Sequence, residues 1–335
     1  MSTLHEAAAA SPGGTLDELA SALEAEGQQV RWNSDRTELW RYYGRGVFMR
    51  LPTCRFDPVS GDTIRKLLQV RGTRIVDYWQ EPSASAPANS FLYVCRDPDY
   101  DLMRLSKNGR KAIRRGLSHV QICRISWDEF AKHGYAALAE TDQRHGYPQP
   151  DEARFQAMVE RWRKSPFHEV WGAWQGDDLI CWLSLEKVDD WADFLISPSR
   201  APALHNYANN ALRYETLRHL LTVEKRRAVV TGISAIKSNI DPRTAHAYNT
   251  RMGFEAVPVH RVMIPCWWLR ALAAHRPAAW FWTTLNRLLP RSATLDKAAG
   301  LSKFLCGIDK HPLAWAETPQ DEGESPAKSD EYSSA

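Results

Sequence analysis

AVVTGISAIKSNIDPRTAHAYNTRMGFEAVPVHRVMIP, the stretch Ala228–Pro265, decides the fold. Val229–Ile236 is rich in β-branched and small residues and reads as a buried strand. Asn239–Arg243 follows as a polar connection, with Asp241 a candidate N-cap and Pro242 suited to a first helical position. The helix then runs to about Met252 and stops at Gly253, the residue type that best takes a left-handed helix terminus. Phe254–Val257 and Val259–Ile264 read as two further strands, broken at Pro258.

Upstream, the pattern supplies the rest of a domain. Val120–Ile125 reads as a strand, and Trp127–Arg144 and Glu152–Lys164 as helices. His168–Trp174 and Asp178–Lys187 form a hairpin around the two-residue signal Gly176-Asp177. Trp191–Ser197 is a third strand and Tyr207–Val223 a helix. A basic helix, Asp99–Gly116, precedes this set. Nearer the N-terminus, Thr15 and Glu18 occupy capping-box positions before Leu16, Leu19 and Leu23 at helical spacing. Short antiparallel strands over Val30–Arg55, a helix at Asp62–Val70 and strands at Arg74–Gln80 and Ser90–Cys95 complete a smaller α/β module.

The whole order resembles the GNAT acyltransferase fold, whose usual ending is an Asn, a helix carrying Tyr, then Gly-Phe. Here these are Asn239, Tyr248, Gly253 and Phe254, with Asn239 and Tyr248 about two residues further apart than is usual. The basic run SKNGRKAIRRG before the first strand resembles the RxxIR-type segment of the FemAB-like branch, which transfers aminoacyl groups to peptidoglycan precursors; Arg110, Lys111, Arg114 and Arg115 match it. The resemblance implies an α+β fold with a mixed, mostly antiparallel sheet flanked by helices. The expected divisions are a disordered segment 1–14, a module 15–98 that would be a degenerate half-domain, a GNAT-like domain 99–265, an aromatic helical extension 266–316 and a disordered acidic tail 317–335.

Function follows the resemblance as an expectation: transfer of an acyl group, from acyl-CoA or another acyl or aminoacyl donor, to a small-molecule or lipid-linked amine. The amine would attack a carbonyl held where strands splay near Phe194 and Gly232. Tyr248 would then protonate the leaving group, as a phenol suits a near-neutral donor. Glu186 and Asp193, on the central hairpin strands, are candidate bases. Family members hold the donor pyrophosphate on Arg/Gln-x-x-Gly-x-Gly/Ala at a helix N-terminus. This chain has SPSRAPALHNYANN instead, without the glycines and with Pro202 removing an N–H, which argues for another donor. Arg200, His205, Asn206 and Asn239 remain the candidate donor contacts, and Lys237 a candidate for a carboxylate or phosphate. A second class of function is a catalytically silent module that binds RNA or anionic lipid through the basic helix.

Composition bounds these readings. The chain of 335 residues is 44% hydrophobic with net charge +3, enough for a sizeable core and uninformative about partners as a total. The distribution says more: Arg104–Arg124 carries seven Lys/Arg and no acid, whereas six acids and one Lys follow from Glu317 onward. Arginines at helical spacing suit phosphates, as in tRNA or an anionic membrane surface. Six scattered cysteines without CxxC read as reduced thiols of a cytosolic protein and give no metal site. No apolar run approaches the length of a transmembrane helix. Trp267, Trp268, Trp280, Phe281 and Trp282 keep a peripheral membrane association open, against packing onto the domain or a partner.

Overall fold

The computed structural model describes residues 13–44, 46–53, 55–145, 148, 150–233, 242–289 and 292–308. Most of the expected disordered termini, and the connection carrying Lys237, Asn239 and Asp241, lie outside the described residues. Within them, Gly14 bridges Val188 of the central hairpin. Thr15 accepts from the Glu18 N–H and Glu18 accepts from the Thr15 N–H, so the expected capping box opens α1 (Leu16–Ala25). Then come β1 (Val30–Trp32), β2 (Leu39–Tyr42) and β3 (Val47–Leu51), paired antiparallel in turn. α2 (Gly61–Gln69) carries the chain to β4 (Ile75–Gln80), which lies parallel to β3, and β5 (Ser90–Cys95) follows.

The basic helix is divided rather than continuous. Asp101 caps a 3-10 turn at Leu102–Arg104 and Ser106 caps α3 (Lys107–Leu117), because each side chain bonds a nearby backbone N–H and restarts the winding. β6 (Gln121–Arg124), α4 (Trp127–Arg144), α5 (Glu152–Arg163), β7 (His168–Gln175), β8 (Asp178–Val188) and β9 (Trp191–Ile196) match the sequence reading within a residue or two. A short helix absent from that reading, α6 (Ala201–His205), precedes α7 (Ala208–Arg218), whose end widens into a π-helical turn at His219–Val223. β10 (Ala228–Ile233), α8 (Pro242–Arg251) and β11 (Glu255–Pro265) complete the domain. Gly253 closes α8 with φ +86°, and a Cβ there would stand 2.8 Å from the Tyr100 ring. α9 (Trp267–Ala273), α10 (Arg276–Leu288) and α11 (Ala293–Leu305) form the extension, with Pro277 in the first turn of α10.

The eleven strands of the described residues make one sheet in the order β1-β2-β3-β4-β11-β5-β10-β9-β8-β7-β6. Among the described strands only β3–β4 and β9–β10 pair in parallel, each joined by a helical crossover, so the unit of hairpin, helix and parallel strand occurs twice. The two units exchange strands. β5 inserts between β10 and β11, and β11 pairs with β5 up to Val259 and with β4 from His260. This corrects the expected break at Pro258, which lies inside one continuous strand. Over Glu255–Val259 that strand pairs with β5 alone among the described residues, the setting in which a sheet tolerates a missing donor.

Strand alternation gives the central sheet two distinct faces. Leu185, Ala192, Phe194, Val229 and Tyr93 pack with Ile113, Leu212, Met252 and Phe254 on the face covered by α3 and α7. Trp182 and Val170 pack on the other face with Phe130, Phe155 and Trp162 of α4 and α5, and Val188 with Leu51 and Leu23.

A buried bidentate pair clasps the exchange, with Arg261 Nε 2.9 Å and Nη2 2.6 Å from the Asp77 carboxylate. Removing one partner of such a pair strands a buried charge and costs about 3–5 kcal/mol. Arg261→Ala is therefore expected to destabilise the protein by about 3 kcal/mol in urea unfolding. A loss below 1 kcal/mol would show that the clasp behaves as an exposed pair.

Candidate functional site

β8 and β9 place Glu186 directly opposite Asp193, so both carboxylates leave the sheet on the same face. Like charges opposite each other repel, and their surroundings separate their roles. Arg41 of β2 puts Nη1 3.1 Å from Glu186 Oε2, with both side chains almost wholly covered. His168 Nε2 stands 3.5 Å from the same oxygen. That imidazole is stacked on Trp162, and its pKa is pushed down to about 3 by burial and then by the Arg41 and Arg161 charges, so it is neutral and adds no cation. Glu186 is raised above the ordinary carboxylate range because burial outweighs Arg41.

Asp193 has no such partner. Thr53 donates its hydroxyl at 2.5 Å, and among the described residues no Lys, Arg or His makes an ion pair with it. Burial, against the lowering by Thr53 and with the raising charge of Glu186, lifts its pKa from 3.8 to about 7. Burial thus raises both carboxyls, and what distinguishes them is the partner: Glu186 has the Arg41 guanidinium and Asp193 a hydroxyl. A small pocket opens at the pair, lined by Leu51, Pro52, Thr53, Trp191 and Val230. The N-terminal strands therefore roof this site.

The structure does not bring Tyr248 to this pair. Tyr248 lies on α8 over the opposite face, donates to the Asn209 carbonyl at 3.2 Å, and is raised by burial, which favours the protonated phenol. Arg213 of α7 sits among the Tyr248, Phe194 and Phe254 rings and donates to Asn249 at 2.7 Å. Between the two faces the sheet is closed as far as the pair Thr231–Phe194. Beyond it, Leu195 and Ile196 are exposed and Gly232 takes φ +60°, so the strands part there, where the sequence places the splay.

The donor contacts expected at the β9–α6 turn are spent within the protein. Arg200 binds Glu140 at 2.9 Å and reaches Asp178 at 3.6 Å. The other Glu140 oxygen accepts from the Ala201 N–H at 3.0 Å, so a carboxylate of α4 takes the first free donor of α6. Asn206 caps the turn into α7 by accepting from Ala208, and His205 is exposed. On α3, Arg110 donates to the Met103 and Leu105 carbonyls, a structural use, and Arg115 lies over the Tyr207 ring. Lys111 and Arg114 are exposed. Asn239 and Lys237 are outside the described residues. Sequence reasoning missed Arg41, Thr53, His168 and Glu140, whose importance lies in contacts across long chain separations that no local motif signals.

No family model and no curated protein sequence matches this chain. Solved structures do. The crystal structure of FemX matches at 10% identity with a TM-score of 0.54, covering 78% of this chain and 95% of that one. The C-terminal domain of a putative lysylphosphatidylglycerol synthetase from Agrobacterium fabrum matches at 10% identity and TM-score 0.47, over 73% and 86%. L-PGS from Bacillus licheniformis matches at 11% and 0.46, over 75% and 92%. The chain therefore shares the fold of FemX, a mixed, mostly antiparallel sheet flanked by helices, in keeping with the fold that the sequence resemblance implies.

Two outcomes follow. With Glu140 on the Ala201 N–H and both glycines missing, acetyl-CoA is expected to bind weakly; a calorimetric Kd in the low micromolar range would contradict this. The folded protein also holds the Asp193 proton more tightly than the unfolded chain does, so this group's contribution is full below about pH 4 and is lost as pH rises to about 7. Asp193→Asn should flatten that slope, gaining on the wild type between pH 5 and pH 8 in urea unfolding. An unchanged difference across that range would place the Asp193 pKa near its ordinary value.

Proposed function

We propose that the protein is an acyl- or aminoacyltransferase acting on an amine, with Asp193 as the base. The observation that carries this reading is a carboxyl set in a pocket directly opposite an ion-paired carboxylate, with a hydroxyl as its own partner, where burial pushes its pKa up to about 7. A base is most effective when its pKa lies near the working pH. The amine nitrogen attacks the donor carbonyl carbon, a C–N bond forms, and the nitrogen proton passes to Asp193. Collapse then breaks the bond to sulfur or oxygen and releases thiol or ribose hydroxyl with one proton. Glu186, ion-paired with Arg41, orients the acceptor by accepting a hydrogen bond from its amine N–H.

The donor's carbonyl enters where the sheet parts beyond Phe194 and Thr231, from the side of Tyr248 and Arg213. Tyr248 in this reading protonates only a leaving group on that side. The blocked β9–α6 turn favours an aminoacyl ester of tRNA over a CoA thioester, with exposed Lys111 and Arg114 of α3 against its phosphates. The acceptor is a small-molecule or lipid-linked amine.

The test is a transfer assay that pairs aminoacyl-tRNAs and acyl-CoA thioesters with a panel of amines, read by product mass. Asp193→Asn is expected to lower turnover about a hundredfold or more and to abolish the rise in rate through about pH 7. A fully active Asp193→Asn protein would remove this base from the reaction. Absence of transfer with every donor, together with RNA or anionic-lipid binding through α3, would establish the silent binding module instead.

A further inference from the structure

α9 and α10 leave their bulkiest apolar side chains in solvent. Trp267 is 82% exposed and Trp280 72%, and Leu272, Phe281 and Leu288 are each more than half exposed. Single exposed apolar residues are ordinary, but these fall on defined helix faces. On α10, Pro277, Trp280, Phe281, Thr284 and Leu288 follow the three- and four-residue spacing of one face, while Ala278, Ala279 and Asn286 point inward and are buried. Arg276 and Arg287 border that outer face at helical spacing. α9 exposes Trp267, Trp268 and Leu272, and Arg270 is exposed on the flank next to Trp267. The two helices are joined by the Trp282 indole, which donates to the Leu272 carbonyl at 3.3 Å.

Charge decides what such a surface fits. From Cys266 to Leu289 the chain has Arg270, His275, Arg276 and Arg287 and no Asp or Glu. Indoles favour the headgroup zone of a bilayer, guanidinium groups pair with lipid phosphates, and an amphipathic helix with basic borders lies in that plane. No helix among the described residues is long and apolar enough to cross a membrane, so the contact is with its surface. Trp267 and Trp280 protrude, as side chains that enter a lipid layer must.

We propose that α9 and α10 form an interfacial anchor that lays Trp267, Trp280, Phe281 and Leu288 into the headgroup region of an anionic bilayer, with Arg270, Arg276 and Arg287 against lipid phosphates. The anchor is independent of the catalytic reading. It would deliver the protein to a membrane whatever its acceptor.

The test is co-sedimentation of the full chain with phosphatidylglycerol vesicles and with phosphatidylcholine vesicles. The wild type is expected to bind the anionic vesicles at least tenfold more tightly. Trp280→Ser with Phe281→Ser, and separately Arg276→Gln with Arg287→Gln, should each weaken binding at least tenfold while leaving the melting temperature close to that of the wild type. Should the serine variant fail to fold, quenching of wild-type indole fluorescence by brominated acyl chains gives an independent reading, and strong quenching is expected. Failure of the wild type to bind, absence of quenching, or binding unchanged in the folded variants would overturn the proposal. So would a wild-type dimer that these substitutions dissociate without any vesicle binding, since the face would then join two copies of this chain.

Discussion

Two carboxylates set opposite each other on adjacent strands are unfavourable, and a guanidinium from 145 residues earlier makes the arrangement tolerable. Arg41 reaches Glu186 only because the N-terminal strands lie over the central hairpin. That placement also brings Thr53 to Asp193 and closes the pocket. Elsewhere the chain pairs the charges it covers. Lys187, fully buried, lies 2.8 Å from both Glu169 and Glu224, Arg50 holds Glu38, and Arg261 holds Asp77. Asp193 departs from this practice, and the departure makes it a titrating group near neutrality. A covered carboxyl without a cation costs stability when ionised, which is a familiar physical signature of a functional position.

The strand exchange explains why the roof stays in place. β5 follows the first unit in the chain and pairs with β10 of the second, whereas β11 follows the second and pairs with β4 of the first as well as with β5. Separating the two units would break both ladders and the Arg261–Asp77 clasp together. The pocket is thus held by backbone pairing on one side and by the Arg41–Glu186 ion pair on the other. Such rigidity is what keeping two like charges at fixed separation requires.

Local features were legible in the sequence and non-local ones were not. The capping box at Thr15, the limits of α4 and the stop at Gly253 depend on residues within a few positions, and the structure reproduces them. Pro258 misled because its tolerance depends on which strands flank β11, information spread across the chain. α6 was missed because its N-terminus is completed by Glu140 from a distant helix. Glu186, Asp193 and Tyr248 were grouped as one site from their types. The register of β8 and β9 puts the two acids on one face, and α8 holds Tyr248 over the other. Residue type was readable from the sequence; which face each group occupies depended on strand register.

The state of one carboxyl tests this account most directly. Carbonyl-carbon NMR titration of the wild type, with Asp193→Asn to assign the signal, should show an aspartate changing ionisation near pH 7, in keeping with the value of about 7. Replacing Glu186 with Gln removes the neighbouring negative charge and should move that midpoint downward. An Asp193 midpoint near 4, unmoved by Glu186→Gln, would mean that the pair is ordinary surface charge and that the base lies elsewhere.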